Sequence, residues 1–507
     1  MSDRRRFLQA LAALGISHSV AACAQASTPR FAGDPFKLGV ASGYPRPDGM
    51  VLWTRLVADL GPASVPVHWE LASDESMRNV VARGVEQAEP DWAHSVRAEP
   101  RGLLPDRWYW YRFRAGDAAS PVGRTRTAPA LDALAARLRF AFASCQQYEQ
   151  GWFCAYRHMA GDDLDLVAFV GDYIYESSWG RDHVRKHDAG EPYSLAEYRS
   201  RYALYKGDPD LQKAHLACPW IFTWDDHEVD NDYANDRPED GMPRELFLAR
   251  RAAAYRAYYE HMPLPSSMQP SGPDMRIYTQ LGWGRLANFL VIDDRQYRAP
   301  QVCPSKPGGS TVVDPERCTA IDDASRTMLG AGQEAWLDRA FANSKAGWNI
   351  LTQQTLMAQL DRKLGEGRQY WTDGWDGYPA ARRRLLESMR STKVSNPVVI
   401  GGDVHMHWVA DLKPDFNDEK SPVVASEFCG TSITSQGASQ KSADALLPEN
   451  PHMKYASGER GYVRASIAGN RLTAELIGLE SVKKPDSRAE VLARFVVEDG
   501  KPGPQKA

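Results

Sequence analysis

"LDLVAFVGDYIYE", residues 164–176, runs from an apolar pentad straight into a carboxylate and two phenols. A short run rich in Val and Phe, bounded by a glycine, reads as a strand buried on both faces. Such strands belong to sheets covered by helices, and ligands bind beyond their carboxyl ends. Asp172 and Tyr175 therefore stand where a ligand would be met. A lone Asp after one strand is more often a turn residue than a ligand. The reading turns on whether other strands end in the same way.

Other apolar runs do. "LRFAFASC" (138–145) ends at Cys145, and "PWIFTWDDHE" (219–228) ends at Asp225, Asp226, His227 and Glu228. "LANFLVIDDRQYR" (286–298) carries Asp293, Asp294 and Arg295, and "NPVVIGGDVHMHW" (396–408) carries Asp403, His405 and His407. "WNILTQQ" (348–354) ends at Gln353 and Gln354. Helical patterns such as "RELFLARRAAAYRAYYEHM" (244–262) and "ARRRLLESMRS" (381–391) lie between them. The plan is α/β or α+β over 136–490, with 491–507 left as a C-terminal tail. If the strands are neighbours, their ends converge on one crevice.

Upstream, residues 36–128 alternate with period two, as in "VPVHWELA" (65–72) and "WYWYRFRAG" (108–116). "LLPDRWYWYRF" (103–113) resembles the tyrosine corner of fibronectin-type sandwiches, with Tyr109 as the corner residue. A β-sandwich is expected there, with "GVASGYP" (39–45) approaching the neighbouring domain.

The chain has 507 residues, 61 basic and 65 acidic, and a net charge of -4. That balance makes no case for a nucleic-acid or membrane surface. No apolar run reaches the ~18 residues of a spanning helix. The N-terminus is an export signal over 1–26: Arg4, Arg5 and Arg6, then a short Ala-rich stretch. "DRRRFLQ" resembles the twin-arginine pattern, which implies the twin-arginine translocase as partner and a periplasmic or secreted product. "VAAC" (20–23) reads as a lipobox that would lipidate Cys23, whereas "AQA" (24–26) fits plain cleavage. Cys303 and Cys318 flank a Pro- and Gly-rich loop and are a candidate disulfide. Nothing asks for an oligomer, and a monomer is expected.

A thiolate, a phenolate, a carboxylate and an imidazole suit a polarising transition metal such as iron or zinc, and the hard anionic phenolate suits Fe(III). Asp226 and Asp403, with a shared Asp172, make an oxygen-rich neighbour site for calcium, magnesium or manganese. Two cations about 3.5–4 Å apart clamp a phosphate for in-line displacement.

"GDYIY", "DDHE" and "GDVH" resemble the blocks of metallophosphoesterases, with Cys145 where the first Asp of that pattern usually stands. With "FASCQQYEQGWF", "DDRQYR", "WDGYPAARRRLLESM" and "EFCGTSITS", the pattern resembles the PhoD-type alkaline phosphatase and phosphodiesterase family. The family usually has Ser-Gly-Asp-Pro where this chain has "SGYP". The resemblance implies an αββα catalytic sandwich and phosphomonoester or phosphodiester substrates. It also implies an iron site of Cys145, Asp172, Tyr175 and His405, and one or two calcium ions on Asp172, Asp226 and Asp403. Zinc or manganese is the fallback. By the same resemblance, His227 faces the leaving group and Arg295 a phosphate oxygen. Asp293, Gln353, Gln354 and His407 remain candidate metal or substrate contacts. A phosphodiesterase or phospholipase D is the nearest rival reading, and a binding protein with an inactive site the more distant one.

Overall fold

The computed structural model describes residues 30–305 and 308–507. The proposed export signal and Cys23 lie outside the described residues. Two sheets stack to form the main body of the described residues. The first has ten strands in the spatial order Lys501–Lys506, Ala489–Glu498, Arg471–Leu479, Gly461–Ala468, Arg137–Ala143, Leu166–Val170, Trp220–Thr223, Val40–Arg46, Gly49–Arg55 and Ser95–Ala98. The second has seven, in the order Thr279–Trp283, Ala287–Val291, Trp348–Thr352, Pro397–Gly401, Ala425–Cys429, His407–Leu412 and Met453–Ser457.

Each sheet has a parallel heart. Arg137–Ala143, Leu166–Val170 and Trp220–Thr223 run parallel, as do Ala287–Val291, Trp348–Thr352, Pro397–Gly401 and Ala425–Cys429. All but Ala425–Cys429 are the short apolar runs read from the sequence, and all but Arg137–Ala143 are buried along their whole length. Phe140, Ala168, Phe289, Ile350, Ile400 and Phe428 belong to one core shared by both sheets. The helices Gly330–Asn343 and Pro379–Thr392 cover the second sheet through Leu337, Phe341, Leu386 and Met389. Helices Leu195–Lys206, Pro209–Ala217 and Arg244–His261 pack with the first. This is the expected α/β sandwich.

The N-terminal β-structure does not stand apart. One of its layers, Val80–Ala88, Val65–Ala72 and Trp108–Ala115, is a separate sheet. The facing layer, Val40–Arg46, Gly49–Arg55 and Ser95–Ala98, is the edge of the ten-stranded sheet itself. The junction is Gly43 beside Trp220, where an added Cβ would lie 2.7 Å from the Trp220 carbonyl oxygen. Tyr44, the departure from the family pattern, donates its hydroxyl to the Phe222 carbonyl at 3.0 Å. The tyrosine corner is present: Leu104 N donates to Tyr109 Oη at 3.1 Å.

One boundary is corrected. The stretch 491–507 is no tail, because Ala489–Glu498 and Lys501–Lys506 form the outer strands of the first sheet. Its prolines and glycines disguised a hairpin turned at Asp499–Gly500, where Gly500 has φ 71°. Prolines at 502 and 504 are tolerated because that strand is an edge. Cys303 and Cys318 are bonded, with Cα atoms 6.1 Å apart. The remaining described cysteines are free and buried.

Candidate metal centre

The ends of both parallel groups meet at one place. Ser144 and Ser432 form a bridge between the sheets, and a Cβ on Gly402 would lie 2.2 Å from Ser144 Oγ. The candidate ligands leave their strands in left-handed backbone: Cys145 (φ 59°), Asp172 (59°), Asp403 (64°) and His405 (54°). That conformation costs each non-glycine residue about 1 kcal/mol or more. It ends the strand abruptly and breaks the side-chain alternation where neighbouring loops must face one another. Gly171 (φ 119°) lets two such loops touch, since a Cβ there would fall 2.5 Å from Asp225 Cβ.

Tyr175 Oη sits at the middle. It donates to Asp172 Oδ2 at 2.7 Å, accepts from Ser435 Oγ at 2.8 Å and lies 3.1 Å from His405 Nε2. His405 Nδ1 faces the Gln436 carbonyl at 2.6 Å and must be the protonated nitrogen, so Nε2 carries the lone pair. Burial, with Arg460 adding to it, lowers the His405 pKa to about 3 and keeps the ring neutral.

Three donor sets follow in a row, each with its donor atoms within 4.8 Å of one another: Cys145, Asp172 and His405; Asp172, Asp226 and His227; Asp226, Asp232 and Asp373. Asp172 joins the first two and Asp226 the last two. Asp403 stands beside the row, outside all three sets. Its Oδ2 accepts from Thr355 Oγ1 at 2.6 Å, and its charge raises the pKa values of Cys145 and Asp172.

The donor chemistry fits cations. Burial, then the neighbouring acids, pushes the Cys145 thiol and the Tyr175 phenol far up. Burial also lifts Asp172 well above the carboxylate range, against the pull of His227 and with Asp226 and Glu228 adding to the rise. Three buried acids that cannot ionise together form a site that needs positive charge among them. Asp172 Oδ1 is buried with no hydrogen-bond partner, as expected of an oxygen kept for a ligand.

His227 has a different environment. Its Nδ1 is 2.7 Å from Glu176 Oε2, and its ring lies over Tyr175 with centroids 4.0 Å apart. Burial opposes its charge, but Glu176, Asp226 and Asp172 outweigh burial and raise its pKa well above the ordinary imidazole value. Glu228 fixes the loop below, accepting from the backbone N–H groups of Asp172 at 3.1 Å, Tyr173 at 2.5 Å and Asp225 at 2.8 Å.

Several expected contacts are placed elsewhere. Arg295 is 1% exposed; its Nε is bonded to Asp225 and its Nη1 to Asp373 at 2.5 Å. It is a counter-ion to the acid row, and its Nη2 is buried without a hydrogen-bond partner. Asp293 spends both oxygens on its own turn, accepting from Arg295 N, Gln296 N and Gln296 Nε2 at 3.0 Å each. Gln353 bonds Thr355 and Trp375 Nε1, and Gln354 bonds Thr223 and the Ile292 carbonyl. His407 is fully buried between Thr431 N and the Ile477 carbonyl. Of the tyrosines near the opening motif, Tyr173 packs inward and reaches His215 Nε2 at 2.7 Å.

Four participants carried no assignable signal in the sequence. Asp232 closes "WDDHEVDND" but follows no strand. Asp373 lies just before "WDGYPA", on a loop reached only through tertiary packing. Glu176 and Ser435 act on neighbours rather than as ligands. Asp232 is also held by Ser310, whose N–H and hydroxyl reach its Oδ2 at 2.9 and 2.5 Å from within the disulfide-closed loop.

A row of shared carboxylates, closed at one end by thiol, phenol and imidazole, thus lies at the mouth of two stacked mixed sheets. Residues 140–476 match the PhoD-like phosphatase family, and residues 22–129 match the PhoD-like phosphatase N-terminal domain. The chain is 44% identical to alkaline phosphatase D of Bacillus subtilis (strain 168) over a 527-residue alignment covering 99% of this chain and 89% of that protein. A solved structure, "Structure of PhoD", superposes with a TM-score of 0.89 at 44% identity, over 94% of this chain and 93% of that one. The chain belongs to the PhoD-like phosphatase family.

Proposed function

We propose that this chain is an exported alkaline phosphatase that hydrolyses phosphate esters with water at an iron-calcium centre. The observation that carries the reading is the row of overlapping donor sets joined through Asp172 and Asp226. Cys145, Asp172, Tyr175 and His405 would hold Fe(III); Asp172, Asp226 and Asp403 would hold calcium. Asp232 and Asp373 extend that acidic side. Bound there, the cations supply Lewis acidity for the phosphate oxygens and lower the pKa of water.

The chain's own residues do the rest. Ser435 keeps the Tyr175 oxygen in place, donating its hydroxyl to it at 2.8 Å. Arg295 offsets the charge of Asp225, Asp226 and Asp373, so that several carboxylates can sit together. Glu176 holds His227 at Nδ1, which leaves Nε2 to give its proton to the departing alkoxide. Glu176, the carboxylate at Nδ1, raises the ring's pKa and favours the protonated form.

Export through the twin-arginine translocase suits a protein that folds around its metals first. The Cys303–Cys318 bond supports an oxidising destination, periplasmic or extracellular; cell fractionation decides it. The catalytic reading is tested by assaying the purified protein on p-nitrophenyl phosphate and on bis-p-nitrophenyl phosphate, with and without chelator. Metal-dependent turnover at alkaline pH is expected. Faster turnover of the diester would make it a phosphodiesterase on the same site. No turnover of either ester by the metal-loaded protein would end the enzymatic reading.

A further inference from the structure

Trp179 stands at the mouth of the centre without holding any part of it. Its indole stacks on the His405 imidazole, with centroids 5.7 Å and planes 7° apart, and tilts against Tyr175 at 6.2 Å. The ring is held in place through its backbone. The Trp179 carbonyl accepts from Gln150 Nε2 at 2.7 Å and lies 2.8 Å from His183 Nε2. The next residue is Gly180 (φ 83°), where a Cβ would lie 2.5 Å from the same Gln150 nitrogen.

Position gives this ring its meaning. Cys145, Asp172 and Tyr175 are buried, whereas Asp403, His405 and Trp179 are half-buried. A phosphate ester therefore reaches the donors past Asp403 and His405. Its organic group must then extend outward beside the indole that lies on His405. A rigid aromatic ring that is only part-buried at such an opening is a ready surface for a flat or apolar group.

We propose that Trp179 is a specificity-determining residue, the wall against which the ester's organic group lies, and that it favours aryl esters over small polyol esters. The inference rests on the phosphoester reading above. The test compares the parent enzyme with Trp179→Ala and Trp179→Phe on p-nitrophenyl phosphate and glycerol 2-phosphate. In Trp179→Ala, the ratio of kcat/KM for the aryl ester over the glycerol ester should fall about tenfold, through KM for the aryl ester. In Trp179→Phe, the ratio should stay within about twofold of the parent. An unchanged ratio, or an equal loss on both esters, would reduce Trp179 to a packing residue of the ligand loop and overturn the proposal. Turnover of neither ester by the parent would overturn the phosphoester reading, and this inference with it.

Discussion

Asp172, Tyr175 and Glu176 lie within five residues of one loop and do three different things. Asp172 joins two donor sets, Tyr175 binds Asp172 and meets His405, and Glu176 turns away to hold His227. The last pairing is the most open to test by mutation. Glu176→Gln keeps a hydrogen-bonding group but removes the charge that most raises the His227 pKa. The imidazolium should then lose its proton at lower pH. We expect kcat to fall on the order of tenfold to a hundredfold, with the alkaline limb of the kcat–pH profile moving to lower pH. An unmoved limb would mean that His227 is not the proton donor.

At the scale of elements, the site is a meeting of strand ends, and strand ends are what local sequence reveals. "LVAFV", "WIFT" and "PVVIG" are legible because a buried parallel strand is continuously apolar and stops at a polar residue. For that reason Cys145, Asp172, Asp226 and His405 could be found without coordinates. Asp293, Gln353, Gln354 and His407 carried the same signal, yet their side chains are consumed by turns and core, which only packing determines. Asp232 and Asp373 show the reverse: they come from loops, and no periodicity marks them. The loop closed by Cys303–Cys318 is part of that hidden layer, since its Ser310 steadies Asp232. A Cys303→Ser, Cys318→Ser double variant should lose about 2–4 kcal/mol of stability in a denaturant melt, as expected for a loop of that length. A stability equal to the parent's would mean that the loop is held by packing alone.

The whole molecule is one continuous body rather than two domains in series, because the sandwich lends three strands to the catalytic sheet. Near that seam lies Lys206, 1% exposed, its ammonium over Trp53 at 4.3 Å and 3.3 Å from Tyr173 Oη. Burial lowers its pKa from 10.5 to about 7. Between those values the unfolded chain binds a proton that the folded one does not, so stability should rise with pH across that window. Unfolding midpoints measured from pH 7 to pH 10 should therefore climb less steeply in Lys206→Met than in the parent; equal slopes would show that the amine is not the source. The seam thus favours the alkaline conditions proposed for the chemistry. The proposed chemistry would rest on an iron–phenolate centre beside calcium, and metal analysis with a visible spectrum tests that proposal most directly. The prediction is iron and calcium in the purified protein, with a charge-transfer band that is absent from Tyr175→Phe. Zinc as the only bound metal, or a band that survives in Tyr175→Phe, would contradict it.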